Sequence, residues 1–307
     1  NYENMKYKKE ILQMLFKAYF DARKHKRSKQ SQLEFEVNLE QNIFDLYEEI
    51  ISKTYTPSTS ICFIINHPIK REIFAATFRD RVVHHFIYNI VSPLAEKMFL
   101  HDVYSCRKEK GTLFGIDRAY SKMQSCSENF TKKTFVLKLD IAGYFMNMNK
   151  DKLYSKVEQL INKNELFLPI QSNLLKYLIS QNIYHDPTID CKFQSQKSEW
   201  KNLPKNKSLF GTATNCGLPI GNLTSQLYGN LYLNEFDHFI KKELKINHYG
   251  RYVDDFYMFH QDKNKLIAQI ANIKRRLLLT EKLQLHPKKI YFQEINKGFP
   301  FLGVYLL

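Results

Sequence analysis

The sequence is poor in the residues that mark extracellular, fibrous and membrane proteins. Its cysteines number five, an odd count, and no Cys-x-x-Cys pair occurs, which argues against a disulfide framework and a zinc ribbon. Glycine and proline are scarce, at 10 and 9 of 307 residues, which excludes collagen-like and low-complexity classes. No apolar run approaches a membrane span, and residues 1–30 carry charge throughout, so no signal peptide is expected. These absences predict a cytoplasmic protein without a membrane partner.

Positive charge is the strongest bulk signal in the chain. Lysine and arginine total 46 against 31 acidic residues, which gives a formal net charge of +15. Such an excess attracts polyanions through Coulomb steering and counterion release, so it favours a nucleic-acid partner. Hydrophobic residues make up 44% and charged residues only 25%, which allows a sizeable core and excludes global disorder. At about 150 residues per domain, the length suggests two lobes.

Hydrophobic periodicity predicts strands interleaved with helices, and hence an α+β fold. The predicted strands are 59–66 and 70–76 around a turn at His67–Pro68, then 134–140, and two strands within 248–261. The predicted helices are 1–29, 79–99, 150–163, 222–245 and 265–283. Residues 184–216 are polar and indicate a loop or a short hairpin. The basic run that ends the first helix is either a solvated face or a contact with backbone phosphates.

Two adjacent acids, Asp254 and Asp255, lie among aromatic and β-branched residues. Adjacent acids usually mark a solvated turn, but burying two charges beside apolar strands is costly unless a partner compensates them. A divalent cation is the natural partner, because hard cations take carboxylate oxygens. Asp140 ends another apolar strand, so three carboxylates from two neighbouring strands could hold two Mg²⁺ ions.

These segments resemble the motifs of reverse transcriptases. YVDD at 252–255 is similar to the signature motif of that family, and FVLKLDIAGYF at 135–145 is similar to its first acidic motif. Further segments resemble family motifs in the expected order, namely FRDRVVHH at 78–85, SCRKEKGT at 105–112, GLPIGNLTSQ at 217–226, LQLHPKK at 283–289 and FPFLGVYL at 299–306. The resemblance covers residues 55–307, and the ordered set of motifs is highly specific.

The resemblance implies the fingers and palm of a right-hand polymerase, an α+β fold with an antiparallel palm sheet and packed helices. The domain boundaries expected from it are 1–55 for a basic helical extension, 56–133 for the fingers, 134–150 and 217–307 for the palm, and 151–216 for a connection. The printed sequence stops shortly after FLGV, where a thumb would begin, so the thumb is expected to be short or absent.

The resemblance also assigns catalytic roles. Asp140, Asp254 and Asp255 would be the catalytic carboxylates that bind two Mg²⁺ ions, and the backbone carbonyl of Ile141 would complete one metal site. Lys289, or its neighbour Lys288, would protonate the leaving pyrophosphate. The alternative for these two lysines is a solvated surface pair.

Other residues would bind the incoming deoxynucleotide. Phe145 would act as a steric gate against the ribose 2′-hydroxyl, although ordinary core packing is a fair alternative for any phenylalanine. The remaining residues expected at the nucleotide are Lys70, Arg71, Arg107, Lys110, Tyr144, Ile220, Gly221 and Gln226. A guanidinium fork or an ammonium group suits the phosphate oxygens of the triphosphate.

One departure from the common pattern points to a subclass. Most reverse transcriptases carry Gln-Gly before the third motif's helix and Ser-Pro after it, whereas this chain has Ile220–Gly221 and Ser225–Gln226. That pattern resembles the reverse transcriptases of diversity-generating retroelements. They copy a template RNA with frequent errors at adenine, alongside a small basic accessory protein. Template RNA, a DNA or RNA primer, dNTPs and that accessory protein are therefore the expected partners.

Three alternatives remain open at the level of sequence. The chain could be another bacterial reverse transcriptase, of the retron, group II intron or phage-defence type. It could be an RNA-dependent RNA polymerase, although Phe145 opposes ribonucleotides. It could also be a basic RNA-binding protein with a catalytically weak palm, which the retention of all three aspartates argues against.

Overall fold

The computed structural model describes residues 2–24, 29–67 and 69–307. Within these ranges the α-helices are α1 (Tyr2–Arg23), α2 (Gln30–Val37), α3 (Leu39–Ile51), α4 (Phe78–Glu96), α5 (Thr112–Cys126), α6 (Tyr144–Asn147), α7 (Lys150–Lys163), α8 (Ser172–Tyr184), α9 (Leu223–Tyr232), α10 (Asn234–Lys242) and α11 (Lys263–Arg276). The strands are β1 (Ser60–Ile65), β2 (Arg71–Ala75), β3 (Phe135–Ile141), β4 (Cys191–Phe193), β5 (His248–Tyr252), β6 (Asp255–His260), β7 (Leu285–Glu294), β8 (Phe299–Phe301) and β9 (Val304–Leu306). Lys26 and Arg27 of the predicted basic run, and Pro68 of the predicted turn, lie outside the described residues.

The first compact unit comprises Asn1–Lys97 and Asn149–Tyr228. Its sheet has the order β2–β1–β4, in which β1 and β2 form an antiparallel hairpin and β4 runs parallel to β1. Buried and more exposed positions alternate along β1 and β2, which is the pattern of strands that are packed on one face. Helix α1 packs along α4, and α7 packs along α8.

The second compact unit comprises Met98–Met148 and Gly229–Leu307. Its main sheet is antiparallel, with the order β5–β6–β3–β7, and a small hairpin of β8 and β9 follows. Strand β6 is buried at its four inner positions, because α5 and α11 both pack against it. Burial of Tyr104, Met123 and Phe259 with the β8–β9 hairpin forms an apolar core. This sheet carries the acidic motifs.

The two compact units divide the chain at other positions than the domain boundaries expected from the resemblance, and those boundaries stay a prediction. Residues 98–133, assigned to the fingers, lie in the second unit, where Val103 pairs with Arg251 and α5 packs against β5. Residues 217–228, assigned to the palm, lie in the first unit. The order of motifs along the chain does not show which distant segments pack together.

Most predicted strands and helices agree with the structure within a few residues, and the mixture of antiparallel sheets and packed helices confirms an α+β fold. The predicted helix 222–245 is wrong in one respect, because Leu233 interrupts it between α9 and α10. The apolar period continues across Leu233 and gives no sign of the break. The polar segment 184–216 contains a short parallel strand, β4, which the sequence did not predict. Within the described ranges, no helix is long and apolar enough to cross a lipid bilayer.

Candidate active site

The adjacent acids lie at the tip of a tight hairpin. Only Val253 and Asp254 join β5 to β6, and Asp255 is the first residue of β6. Val253 has a φ of 57°, in the left-handed region. That conformation is uncommon for a β-branched residue and costs roughly 1–3 kcal/mol, so the surrounding structure must hold the turn in place.

The backbone of this turn is held by three hydrogen bonds. The Val253 carbonyl accepts from Arg251 Nη1 at 2.8 Å, and the Val253 amide donates to Ser105 Oγ at 3.1 Å. The Asp254 carbonyl accepts from the Ile141 amide at 3.1 Å. Because Ile141 follows Asp140, this last bond ties the turn to the strand that carries the third acid.

Asp140 and Asp255 are direct cross-strand partners in the pairing of β3 with β6. Residues directly opposite each other in an antiparallel pair have Cβ atoms about 4.5–5.5 Å apart and share one face of the sheet. The structure therefore brings the three predicted acids to one end of one sheet.

Two lysines compensate part of this negative charge. Lys289 Nζ lies 2.7 Å from Asp140 Oδ2, and Lys138 Nζ lies 3.0 Å from Asp255 Oδ2. Lys138 precedes Asp140 by two positions on β3, so both side chains project from the same face.

A bulge in β7 accompanies the approach of Lys289. Leu139 pairs with Ile290, whereas Ile141, two residues on, pairs with Leu285, so the residues between 285 and 290 are looped out of register. Bulges redirect side chains and are frequent beside active sites. The contact identifies Lys289, of the two candidate lysines, as the one that hydrogen-bonds to an acid of the motif.

Burial and the neighbouring charges together shift the pKa values of these groups. Burial, aided by the charge of Asp140, raises the pKa of Asp254 to about 6. Burial also raises the pKa of Asp255, although Lys138 opposes it. For Lys289, burial acts to lower the pKa, but the hydrogen bond to Asp140 and the charges of the three acids outweigh it and raise the pKa. The two lysines therefore leave the carboxylates incompletely compensated.

The donor set fits a hard divalent cation. Carboxylate oxygens are the ligands that such cations prefer, and Asp255 Oδ1 is buried without a hydrogen-bond partner in the described structure. In the described ranges, no three acidic, histidine or cysteine side chains are already grouped to hold a metal ion. Asp140 and Asp255 instead each contact a lysine, Lys289 and Lys138 respectively.

A fully buried ion pair lies beneath the hairpin. Arg251 Nε and Nη2 contact Asp237 Oδ1 and Oδ2 at 2.7 Å and 2.6 Å, and both side chains are completely inaccessible to solvent. Tyr249 Oη donates to the same carboxylate at 2.6 Å. Since Arg251 Nη1 also holds the Val253 carbonyl, one guanidinium group connects α10 to the Val253–Asp254 turn.

Tyr144 and Phe145 follow a left-handed Gly143 at the start of α6. Tyr144 is buried, and its hydroxyl donates to the Gly229 carbonyl, so its observed role is packing. Phe145 remains partly exposed, and a Cβ atom added at Gly229 would lie 3.4 Å from the tip of its ring. That distance is ordinary van der Waals contact, so the ring to which the resemblance assigns sugar selection packs beside Gly229.

Arg107 and Lys110, predicted to bind phosphate, both contact backbone carbonyls. Arg107 is buried, and its Nη1 donates to the carbonyls of Leu100 and Val103. Lys110 Nζ donates to the His101 carbonyl at 2.6 Å. Contact with a triphosphate would require these bonds to be exchanged, so the arrangement of Arg107 in particular favours a structural role.

The other residues predicted at the nucleotide belong to the first unit. Arg71 is exposed at the start of β2, and Lys70 Nζ donates to the Lys201 carbonyl at 2.8 Å. Gly221 has a φ of 110°, and a Cβ atom there would lie 3.2 Å from Ile73. The third motif therefore packs beside strand β2, as a glycine at this position permits. Ile220 is partly buried and Gln226 is exposed.

Comparison with known proteins first defines the class of fold. The structure is similar to that of apo telomerase from Candida tropicalis truncated from its C-terminal domain, with a TM-score of 0.53 and 13% sequence identity. The match covers 81% of this chain and 54% of the telomerase chain, so this chain spans about half the length of that structure. The likeness concerns the fold, and it confirms the expected polymerase fingers and palm.

The family follows from the sequence match. Residues 70–306 match the family model for reverse transcriptase (RNA-dependent DNA polymerase). Because this match covers most of the chain, the chain belongs to the reverse transcriptase family. It is also 22% identical over 295 residues to protein YkfC of Escherichia coli (strain K12), a match that covers 84% of this chain and 69% of YkfC.

Sequence reasoning missed several residues that shape the site. Lys138 could have been found, because alternation along β3 places it on the face of Asp140. Ser105, Asn230 and the Asp237–Arg251 pair had no such signal. Their partners lie between 14 and 148 positions away in sequence, and only the folded chain shows the contacts.

The first prediction concerns the buried pair. Arg251→Met should lower the free energy of unfolding by about 3–5 kcal/mol, because it leaves the Asp237 carboxylate buried without its partner. Arg118→Met is the matched control, since Arg118 pairs with Asp102 in the same unit but is about one-third exposed. That change should cost about 1 kcal/mol or less. Urea unfolding of both variants measures the two losses of stability. Equal losses would contradict the prediction that removing Arg251 costs more than removing Arg118.

Proposed function

We propose that this protein is an RNA-directed DNA polymerase in which Asp140, Asp254 and Asp255 are the catalytic carboxylates. The observation that carries the proposal is the cross-strand pairing of Asp140 with Asp255, beside a hairpin turn that presents Asp254. The family match over residues 70–306 supports the same activity. Template RNA, a primer and deoxynucleoside triphosphates are the proposed substrates.

The three carboxylates, with the carbonyl of Ile141, would hold two Mg²⁺ ions. When bound, these ions would lower the pKa of the attacking primer hydroxyl and neutralise charge on the leaving pyrophosphate. The raised pKa of Asp254 means that the protein alone compensates this cluster poorly, which favours a cation at the carboxylates.

Two basic residues have proposed roles beside the acids. Lys289 stays protonated at neutral pH, since its pKa is raised above an already high value, and it can donate a proton to the departing pyrophosphate. Lys138 pairs with Asp255 and compensates part of its negative charge. In the first unit, Lys70 and Arg71 are proposed to bind the triphosphate of the incoming nucleotide.

The central experiment is primer extension by the full chain on an RNA template with Mg²⁺ and dNTPs. Asp254→Ala should reduce extension by more than about 100-fold, because it removes a carboxylate that would bind the metal directly. Loss of a group that only orients a metal ligand already costs up to about 100-fold. Asp117→Ala, an exposed acid on α5, is the matched control and should retain activity. Undiminished extension by Asp254→Ala would refute the site assignment.

Phe145 is proposed as the gate that excludes ribonucleotides. Phe145→Ala should raise the use of rNTPs relative to dNTPs at least about tenfold, which corresponds to about 1.4 kcal/mol of lost repulsion. Phe145→Tyr keeps the ring and should keep the discrimination. Single-nucleotide incorporation kinetics measure the ratio, and an unchanged ratio in the alanine variant would assign Phe145 to packing alone.

We further propose that the enzyme is the error-prone polymerase of a diversity-generating retroelement. The support is the apolar Ile220 where most relatives carry glutamine, together with Gln226, since an apolar side chain removes a hydrogen-bonding group at the third motif. A small basic accessory protein is the corresponding proposed partner.

Ile220→Gln tests this subclass. It should lower misincorporation opposite template adenine about fivefold, the effect of one hydrogen bond worth about 1 kcal/mol. Ile220→Val, which stays apolar, should leave the error spectrum unchanged. Sequencing of the cDNA products measures both. Equal error rates in the two variants would remove the functional meaning of this position.

A further inference from the structure

The segment 191–211 of the first unit is a lysine-rich loop fastened to the β1–β2 hairpin. Its five lysines are all exposed, and its only acid is Glu199. They are Lys192, Lys197, Lys201, Lys205 and Lys207. The loop carries a net charge of +4, because five lysines are opposed by one glutamate. We call this segment the lysine loop.

A buried carboxylate anchors the lysine loop. Glu72 on β2 is 1% exposed and accepts hydrogen bonds from Trp200 Nε1 at 2.6 Å, Ser208 Oγ at 2.8 Å and the Leu209 amide at 2.6 Å. The start of the loop is fixed as well, since β4 pairs with β1 and the Gln194 amide donates to the Cys62 carbonyl at 2.9 Å. The loop is therefore held in place at both ends.

The anchor leaves the lysine charges available. All three donors to Glu72 are neutral groups, so no lysine of the loop is used to compensate this buried acid. Within the described part of the chain, none of the five ammonium groups lies within ion-pair distance of a carboxylate. A set of exposed lysines without acidic partners is complementary to a polyanion.

Exposed aromatic surface lies among these lysines. Phe193 and Phe210 are 43% and 44% exposed, and their rings stack on each other with centroids 5.8 Å apart. Lys197 Nζ lies 5.2 Å from the Phe193 ring centroid. Proteins that bind single-stranded nucleic acid combine a basic surface with aromatic side chains on which unpaired bases stack. A duplex offers the same phosphates, but its bases are already stacked.

We propose that the lysine loop is a binding surface for single-stranded RNA, with its lysines on the phosphates and the Phe193–Phe210 pair against unpaired bases. The inference rests on the proposed function only in that RNA, rather than DNA, is named as the ligand. Since neither lysine nor phenylalanine reads the sugar, single-stranded DNA of the same sequence should bind with similar affinity.

The test measures binding of a labelled single-stranded RNA to the full chain by fluorescence anisotropy, with EDTA and without primer or nucleotides. The variant carries Lys197→Gln, Lys205→Gln and Lys207→Gln, and the control carries Lys263→Gln, Lys265→Gln and Lys274→Gln on the exposed side of α11. Both lose three positive charges. Thermal unfolding confirms that each variant is folded.

The loop variant should bind at least about tenfold more weakly than the control. Its salt dependence, the slope of log K against log salt, should fall by about 2, from about 0.7 for each of three lost phosphate contacts. Equal affinity and equal slope in the two variants would overturn the proposal.

The role of the Phe193–Phe210 pair is tested by comparing the affinity of the chain for single-stranded RNA with its affinity for duplex RNA. Phe193→Leu should lower the preference for single strands at least about fivefold, the lower end of the stacking effect of one base. Phe167→Leu, an exposed phenylalanine outside the loop, should leave it unchanged. Equal binding of duplex by the unmodified chain would also overturn the proposal.

These outcomes separate the two proposals. If the chain extends primers and the loop variant binds RNA like its control, the surface assignment fails and the polymerase stands. If extension is absent but the loop variant selectively loses RNA, the polymerase proposal fails and the surface stands.

Discussion

The contact between Arg251 and Asp237 is the constraint on which the geometry of the acidic site depends. A buried ion pair contributes little net stability, because the cost of removing both charges from water offsets their attraction. Here the pair fixes the position of the turn. Two N–H groups of the Arg251 guanidinium bind Asp237 and a third binds the Val253 carbonyl, so α10 and the strained turn between β5 and β6 are fixed to each other. Removal of Arg251 would leave the Asp237 carboxylate buried without its partner, and this would cost several kilocalories per mole of folding free energy.

The site concentrates features that oppose folding. Val253 has an unfavourable backbone conformation, and the pKa of Asp254 is raised by burial and by its neighbouring acid. Such strain and like-charge repulsion persist only where the surrounding structure is well determined. The antiparallel sheet and the apolar core of the second unit hold the strained segment in place, while Lys138 and Lys289 compensate part of the negative charge. The carboxylates are thus held together at a cost that a cation would relieve.

Local features of the fold and site could be predicted from the sequence, whereas long-range features could not. The hairpin that carries Asp254 and Asp255, and the strand that ends near Asp140, follow from short apolar runs with polar ends. The contact of Lys289 with Asp140 is accompanied by a bulge in β7, and no residue pattern specifies that shift of register. The break at Leu233 lies inside a continuous apolar period, and the two compact units join segments that are far apart in the chain. The bulge, the break and the pairing of distant segments are properties of the folded chain that no local residue pattern contains.

The lysines of the acidic site and those of the lysine loop are used differently, and bulk charge cannot distinguish the two uses. In the second unit, Lys138 and Lys289 are bound to carboxylates of the acidic site, so their charges are used within the protein. In the lysine loop, the groups that donate to Glu72 of β2 are all neutral, and the five lysines are exposed to solvent. A net charge of +15 could arise from compositional drift, since drift adds lysine without regard to its partners. Drift does not account for a loop that is anchored through a buried carboxylate without using any of its five lysines for that anchor. A polyanionic ligand accounts for this arrangement.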